Sequence, residues 1–157
     1  MDSTSHAYDR PAQPASAPGT GADARPVTSG PTLTLEGSRA TYTAESIERM
    51  VTMFYSEVRA DPLIGPIFER RVADWPSHLE RMCAFWGSVL RAEPGYRSER
   101  GSPLQIHAAM AELERDHFVR WLALFERTVT EVFEPTAAAG VIGRAERIAV
   151  ALGRHLS

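Results

Sequence analysis

The sequence predicts an all-α domain, and three observations carry that expectation. Four long stretches after residue 43 repeat apolar side chains at i, i+3, i+4 and i+7, the spacing that lines one face of an α-helix. Their ends are punctuated by capping residues and by proline or glycine. The one alternating run, Thr32-Leu33-Thr34-Leu35, has no strand-like run elsewhere to pair with, and a lone strand makes no sheet.

Residues 1–40 are a different material from the rest. Five of the eleven prolines (Pro11, Pro14, Pro18, Pro26, Pro31) lie there among Ser, Thr, Ala and Gly, which offers little apolar surface to offset the entropy of ordering. A disordered tail over 1–40 and a folded domain over 41–157 are therefore expected. From Thr43, a good N-cap, the residues Ile47, Met50, Val51, Phe54 and Val58 form the first stripe, and Asp61-Pro62 stops it after about 16 residues. Tyr55 flanks that stripe; a tyrosine tip in water is the commoner case, but a buried one needs a partner. The connector Asp61-Pro-Leu-Ile-Gly-Pro-Ile-Phe68 is apolar yet broken by Pro62, Gly65 and Pro66. It reads as a packed turn with one turn of helix near Ile67.

A second long helix is expected from about residue 76 to 92, striped by Leu79, Met82, Cys83, Trp86, Val89 and Leu90 and ended by Glu93-Pro94-Gly95. His78 sits on the margin of that stripe and, taken alone, reads as solvated. Ser102, Pro103 and Gln105 mark a short helix, since a Ser N-cap with Gln three residues on satisfies two backbone N–H groups and Pro is shaped for the first helical position. On it Leu104, His107, Ala108 and Ala111 share one face, so His107 turns toward the core. Taken alone, His107 reads most simply as a core histidine bonded to a carbonyl. Asp116 is the expected cap of the next helix, whose stripe is Phe118, Trp121, Leu122, Phe125, Val129, Val132 and Phe133 before Pro135. His117 at its start reads as a cap-region residue. A final helix from about Thr136 carries Ala138, Val141, Ile142, Ala145, Ile148, Ala149, Leu152 and Leu156.

Composition excludes several classes of function. The 157 residues suffice for one domain of ordinary size. A net charge of −3 and a pI near 6.0 leave no electrostatic footprint for nucleic acid. No apolar run is long enough for a membrane span, and no secretory signal pattern opens the chain, so a cytoplasmic location is expected. The single Cys83 excludes an internal disulfide and any CxxC element; mid-stripe, it reads as an inert buried thiol. There is no Gly-rich phosphate loop, no HExxH, and no carboxylate on an inner helix face for a di-iron site.

Five motifs, taken in order, resemble the group III truncated haemoglobins over about residues 44 to 156. They are Phe54-Tyr55 with Val58-Arg59 and Asp61-Pro-Leu-Ile-Gly-Pro-Ile-Phe68; Trp75-Pro-Ser-His78; Phe85-Trp86-Gly-Ser-Val-Leu90; Pro103-Leu with His107; and His117-Phe-Val-Arg-Trp-Leu-Ala-Leu-Phe125. The stretch from Tyr96 to Pro103 is a few residues longer than the family pattern. The resemblance implies a truncated globin fold, a helical sandwich around a haem pocket, for 41–157. It implies His107 as the proximal haem ligand, and hence the metal ligand, with Tyr55, His78 and Trp121 on the distal side. Non-covalent haem b (iron protoporphyrin IX) is the implied cofactor, since a CxxCH attachment is absent. Independently of the family, two histidines 29 positions apart on the margins of consecutive helices can face each other across a slot.

The implied function is binding of O2, NO or other small diatomic ligands. Redox chemistry on NO or peroxide, of the NO dioxygenase or peroxidase kind, would need an external reductase, because the chain holds no reductase domain. Tyr55 and the Trp121 indole would donate hydrogen bonds to the ligand. An acceptor for the other ring N–H of His107 would tune its basicity. Arg81, one turn beyond His78, can reach a haem propionate, and a solvated Arg is an equally simple reading. The alternative is a haem-free helical bundle acting as a partner-binding or regulatory module.

Overall fold

Helix α2 (Ala44–Ala60) is the element against which most of the domain packs in the computed structural model, which describes residues 35–94, 96–97, 106–107 and 110–154. Thr43 caps it as the sequence suggests: its backbone is extended and its side chain accepts the Ser46 N–H at 3.1 Å. Ile47, Met50, Val51, Phe54, Tyr55 and Val58 are buried along one face. Tyr55 goes inside with them, 7% exposed, against the commoner expectation of a wetted hydroxyl.

Asp61 ends α2 and starts the next element. Its Oδ1 accepts the N–H groups of Leu63 and Ile64, both at 3.0 Å, and α3 (Gly65–Arg71) follows with Pro66 in its first turn. This is two turns of helix where one was expected. Gly65 makes it possible, because a Cβ there would stand 2.9 Å from the carbonyl oxygens of both Val58 and Arg59.

Helix α4 (Trp75–Arg91) is capped by Asp74, whose carboxylate accepts the Ser77 N–H at 3.3 Å and the Ser77 hydroxyl at 2.6 Å. Its C-terminal half buries Trp86, Gly87 and Leu90. Leu79, Met82, Cys83 and Phe85 are half-buried. Helices α5 (Arg115–Val132) and α6 (Pro135–Gly153) are joined by Phe133 and Glu134 alone, so they fold back on each other. The cap of α5 is Glu114, two residues earlier than Asp116, because the His117 side chain itself closes the start: its Nδ1 accepts the Glu114 N–H at 2.9 Å. The packing runs α4 on α2, α2 on α5 and α5 on α6, with α3 against α2.

A helix begins before residue 41. Helix α1 (Leu35–Thr41) packs on α4, with Ser38 buried. Arg91 donates from Nη1 to the carbonyls of Arg39 (3.1 Å) and Tyr42 (2.6 Å). Local composition carries no trace of these contacts with α4. Residues 1–34 of the tail expected over 1–40 lie outside the described residues, as do 103–105 of the short helix, of which Ile106 and His107 are helical.

Candidate functional site

An aromatic seam crosses the middle of the domain. Trp121 stacks on Phe125 (centroids 5.2 Å apart, 5° between planes), Phe125 stacks on Trp86 (4.9 Å, 16°), and Phe54 stands edge-on to both Trp121 (5.4 Å) and Phe125 (5.1 Å). Phe54 and Tyr55 are neighbours on α2 (5.0 Å), so the seam leads to the polar residues beside it.

There α2 and α4 bring two predicted site residues together. The Tyr55 and His78 rings lie 4.8 Å apart at 88°. His78 is half-buried, and its Nε2 is shut from water with no hydrogen-bond partner among the described residues. Burial, assisted by the Arg81 charge, pushes its pKa down to about 4, so the ring is neutral at physiological pH. Burial pushes the Tyr55 phenol well above its ordinary range, with a smaller contribution from Tyr96. Its hydroxyl therefore keeps its proton and can donate.

Trp121 joins this pair through Phe54, which touches both Tyr55 and Trp121. The His107 ring meets Phe118 on α5, with centroids 6.4 Å apart, one turn before Trp121. Arg71 at the end of α3 donates from Nε to Glu112 at 2.8 Å, which ties the segment following His107 to α3. Arg81 is exposed, one turn beyond His78. Cys83 is half-buried rather than sealed in, and burial together with Glu48 and Glu80 raises its thiol pKa, which keeps it protonated and unreactive.

Trp75 enters the cluster unannounced. Its ring lies 5.6 Å from His78 and 6.0 Å from Tyr55. The signal was present, since Trp75 and His78 are i, i+3 on one helix face as Tyr55 and Arg59 are i, i+4 on another. Their meeting depends on how α2 crosses α4. A cavity of about 610 Å³, lined by Thr52, Tyr55, Ser56, Arg59, Glu69 and Trp75 among others, opens beside the cluster. Among the described residues no three His, Cys, Asp or Glu converge to hold a metal by themselves, and no helix is long and apolar enough to cross a membrane.

A family model described as bacterial-like globin matches residues 42–151. Group 3 truncated haemoglobin ctb of Campylobacter jejuni is 31% identical over 113 residues, which cover 69% of this chain and 87% of that relative. The chain belongs to the group III truncated haemoglobins. The solved structure of the group III truncated haemoglobin from Campylobacter jejuni superposes on it with a TM-score of 0.69 at 30% identity, covering 74% of this chain and 93% of that one. A group II truncated haemoglobin from Bacillus anthracis, 23% identical, shares the fold with a TM-score of 0.63 over 73% of this chain and 87% of its own. The all-α arrangement described above is thus the truncated globin fold, and the globin match of this truncated haemoglobin leaves α1 just outside it. Membership implies a haem-binding protein for small diatomic ligands.

Proposed function

We propose that this truncated haemoglobin holds haem b without a covalent bond, through His107, and binds O2, NO or related diatomics beside Tyr55, His78 and Trp121. The observation that carries the reading is the Tyr55–His78 pair, 4.8 Å between rings, with the buried His78 Nε2 unpartnered among the described residues. A buried polar atom normally has a partner, and one facing a ligand pocket has its partner in the ligand. The residues fit the group in three further respects. His107 is a half-buried imidazole on a short helix, Phe118, Trp121 and Phe125 follow one another at i, i+3 and i+7 along α5 with Trp121 stacked on Phe125, and Leu79, Met82 and Phe85 present half-buried apolar surface on α4. A flat apolar macrocycle is matched by such walls.

Haem supplies an iron atom that takes one small ligand reversibly. The chain's own residues do the rest. Tyr55 and the Trp121 indole donate hydrogen bonds to the negative charge that develops on such a ligand, and neutral His78 adds a third polar atom. Arg81, exposed at the edge of α4, meets a propionate carboxylate as a charge-assisted pair. Phe54 and Phe125 behind Trp121 keep water from that side. Turnover of NO or peroxide is a further role of the same pocket and draws electrons from an external reductase in the cytoplasm. The test is colour: purified protein reconstituted with haem should show a Soret band that shifts on reduction and again on adding carbon monoxide. No Soret band after reconstitution overturns the reading and leaves a haem-free helical module.

A further inference from the structure

Trp75 has no part in the roles above, yet contacts from α2 and from its own helix α4 converge on it. Its ring meets His78 at 84° and 5.6 Å, while the Arg59 guanidinium from α2 covers it at 4.4 Å. Arg59 is held in turn by Glu69 of α3, to which its Nε donates at 2.7 Å. The indole Nε1 is buried and has no hydrogen-bond partner among the described residues. Packing and the cation above it hold this ring, not a hydrogen bond of its own.

His78 is thereby enclosed by two aromatic rings, Tyr55 at 88° and Trp75 at 84°. A histidine ring turns through a broad torsional well about its χ2 bond unless neighbours confine it. The charged groups that next follow it on its own helix, Glu80 and Arg81, are both exposed; Arg59 and Glu69 lie beyond Trp75.

We infer that Trp75 is a positioning residue: clamped by Arg59 and Glu69, it braces the His78 ring against Tyr55 and so fixes where the His78 Nε2 points. The inference rests on the reading of Tyr55 and His78 as the distal side of a haem pocket. Trp75 touches no ligand in this scheme and acts through His78 alone.

The experiment uses the full chain reconstituted with haem and two readouts, O2 dissociation by stopped flow and the C–O stretching band of the carbon monoxide complex. Trp75→Leu should speed dissociation several-fold and split or broaden the C–O band, as the His78 ring takes up more than one orientation. Trp75→Phe keeps an aromatic ring under Arg59 and should stay within about two-fold of the parent with a single band. In a His78→Ala background Trp75→Leu should change neither readout further, because residues acting through one another are not additive. Should Trp75→Leu fail to fold, Arg59→Gln at the half-exposed clamp should still broaden the band. The inference is overturned if Trp75→Leu acts by the same factor with and without His78, if Trp75→Phe is as fast as Trp75→Leu, or if the folded clamp variants leave a single unshifted band. A His78→Ala variant indistinguishable from the parent removes the distal role of His78 instead, and that outcome is separable because it needs no change at Trp75.

Discussion

The rings of Tyr55 and His78 meet at a right angle, 88° between planes and 4.8 Å between centroids, at the point where α2 crosses α4. Both groups are neutral there, and burial is the largest cause of both shifts. Burial disfavours the charged form of each, raising the phenol and lowering the imidazole to about 4.

Hydrogen bonding from Tyr55 and Trp121 should govern ligand escape. Tyr55→Phe and Trp121→Phe should each speed O2 dissociation by roughly ten-fold or more, as expected for hydrogen bonds to a partly charged acceptor worth about 1.5–3 kcal/mol. The double variant should lose less or more than the product of the singles, since both donors share one acceptor. Rates for both singles within about two-fold of the parent, about 0.4 kcal/mol, would show that neither holds the ligand.

The two histidines of the central region should separate cleanly. His107→Ala should abolish stable haem retention, whereas His117→Ala should keep the Soret band and lose about 1 kcal/mol of stability, because His117 Nδ1 closes the start of α5 by accepting the Glu114 N–H. Absorption spectra and urea midpoints measure both. An unchanged ferrous spectrum in His107→Ala refutes the ligand assignment.

Acid should weaken the fold through His78. Between the ordinary value of 6.5 and about 4, the unfolded chain binds a proton there that the folded chain does not. Stability is therefore full above that window and falls as pH drops through it. Urea midpoints at pH 7 and pH 5 should differ less in His78→Phe than in the parent; an equal loss in both would mean that the ring is reached by solvent.

Asp61 is expected to be costly to remove. It is 5% exposed, and its Oδ2 accepts from Arg120 Nε at 2.7 Å while Oδ1 caps two backbone N–H groups. Burial pushes its carboxyl up, but the Ile64 N–H, Arg120 and the Leu63 N–H together outweigh burial and hold it below the usual range. Asp61→Ala leaves these donors without their acceptor, at about 2–3 kcal/mol, which calorimetry should show as a lowered melting midpoint. Its contribution is present above the ordinary carboxylate range and lost as pH falls through the lowered pKa.

Gly140 tests the seat of Tyr42. A Cβ there would stand 2.5 Å from the Tyr42 hydroxyl oxygen, and Tyr42 is 1% exposed with its hydroxyl donating to the Ala137 carbonyl at 3.0 Å. Gly140→Ala should cost about 1–3 kcal/mol through overpacking. In a Tyr42→Phe background, where the oxygen is gone, thermal melts should show the penalty shrink; an undiminished penalty would place the strain elsewhere.

What the sequence determines by itself is whatever is settled within a turn or two of helix. Thr43 accepting the Ser46 N–H, the stop at Asp61-Pro62, the stripe from Ile47 to Val58 and the helix break at Pro135 are all local, and each is readable from residue spacing. The family motifs likewise nominate Tyr55, His78, His107 and Trp121 for the pocket proposed above. Only the tertiary structure decided that Tyr55 is buried, that α1 begins at Leu35, that His117 moves the start of α5 to Glu114, and that Arg59 lies over Trp75. The physical reason is common to these. Their partners are brought by chain folding or by side-chain reach: Arg91 holds the carbonyls of Arg39 and Tyr42 from about fifty residues away, and Arg59 meets Trp75 because α2 crosses α4 at that height. Periodicity says which face of a helix turns inward, and packing alone says what it meets there.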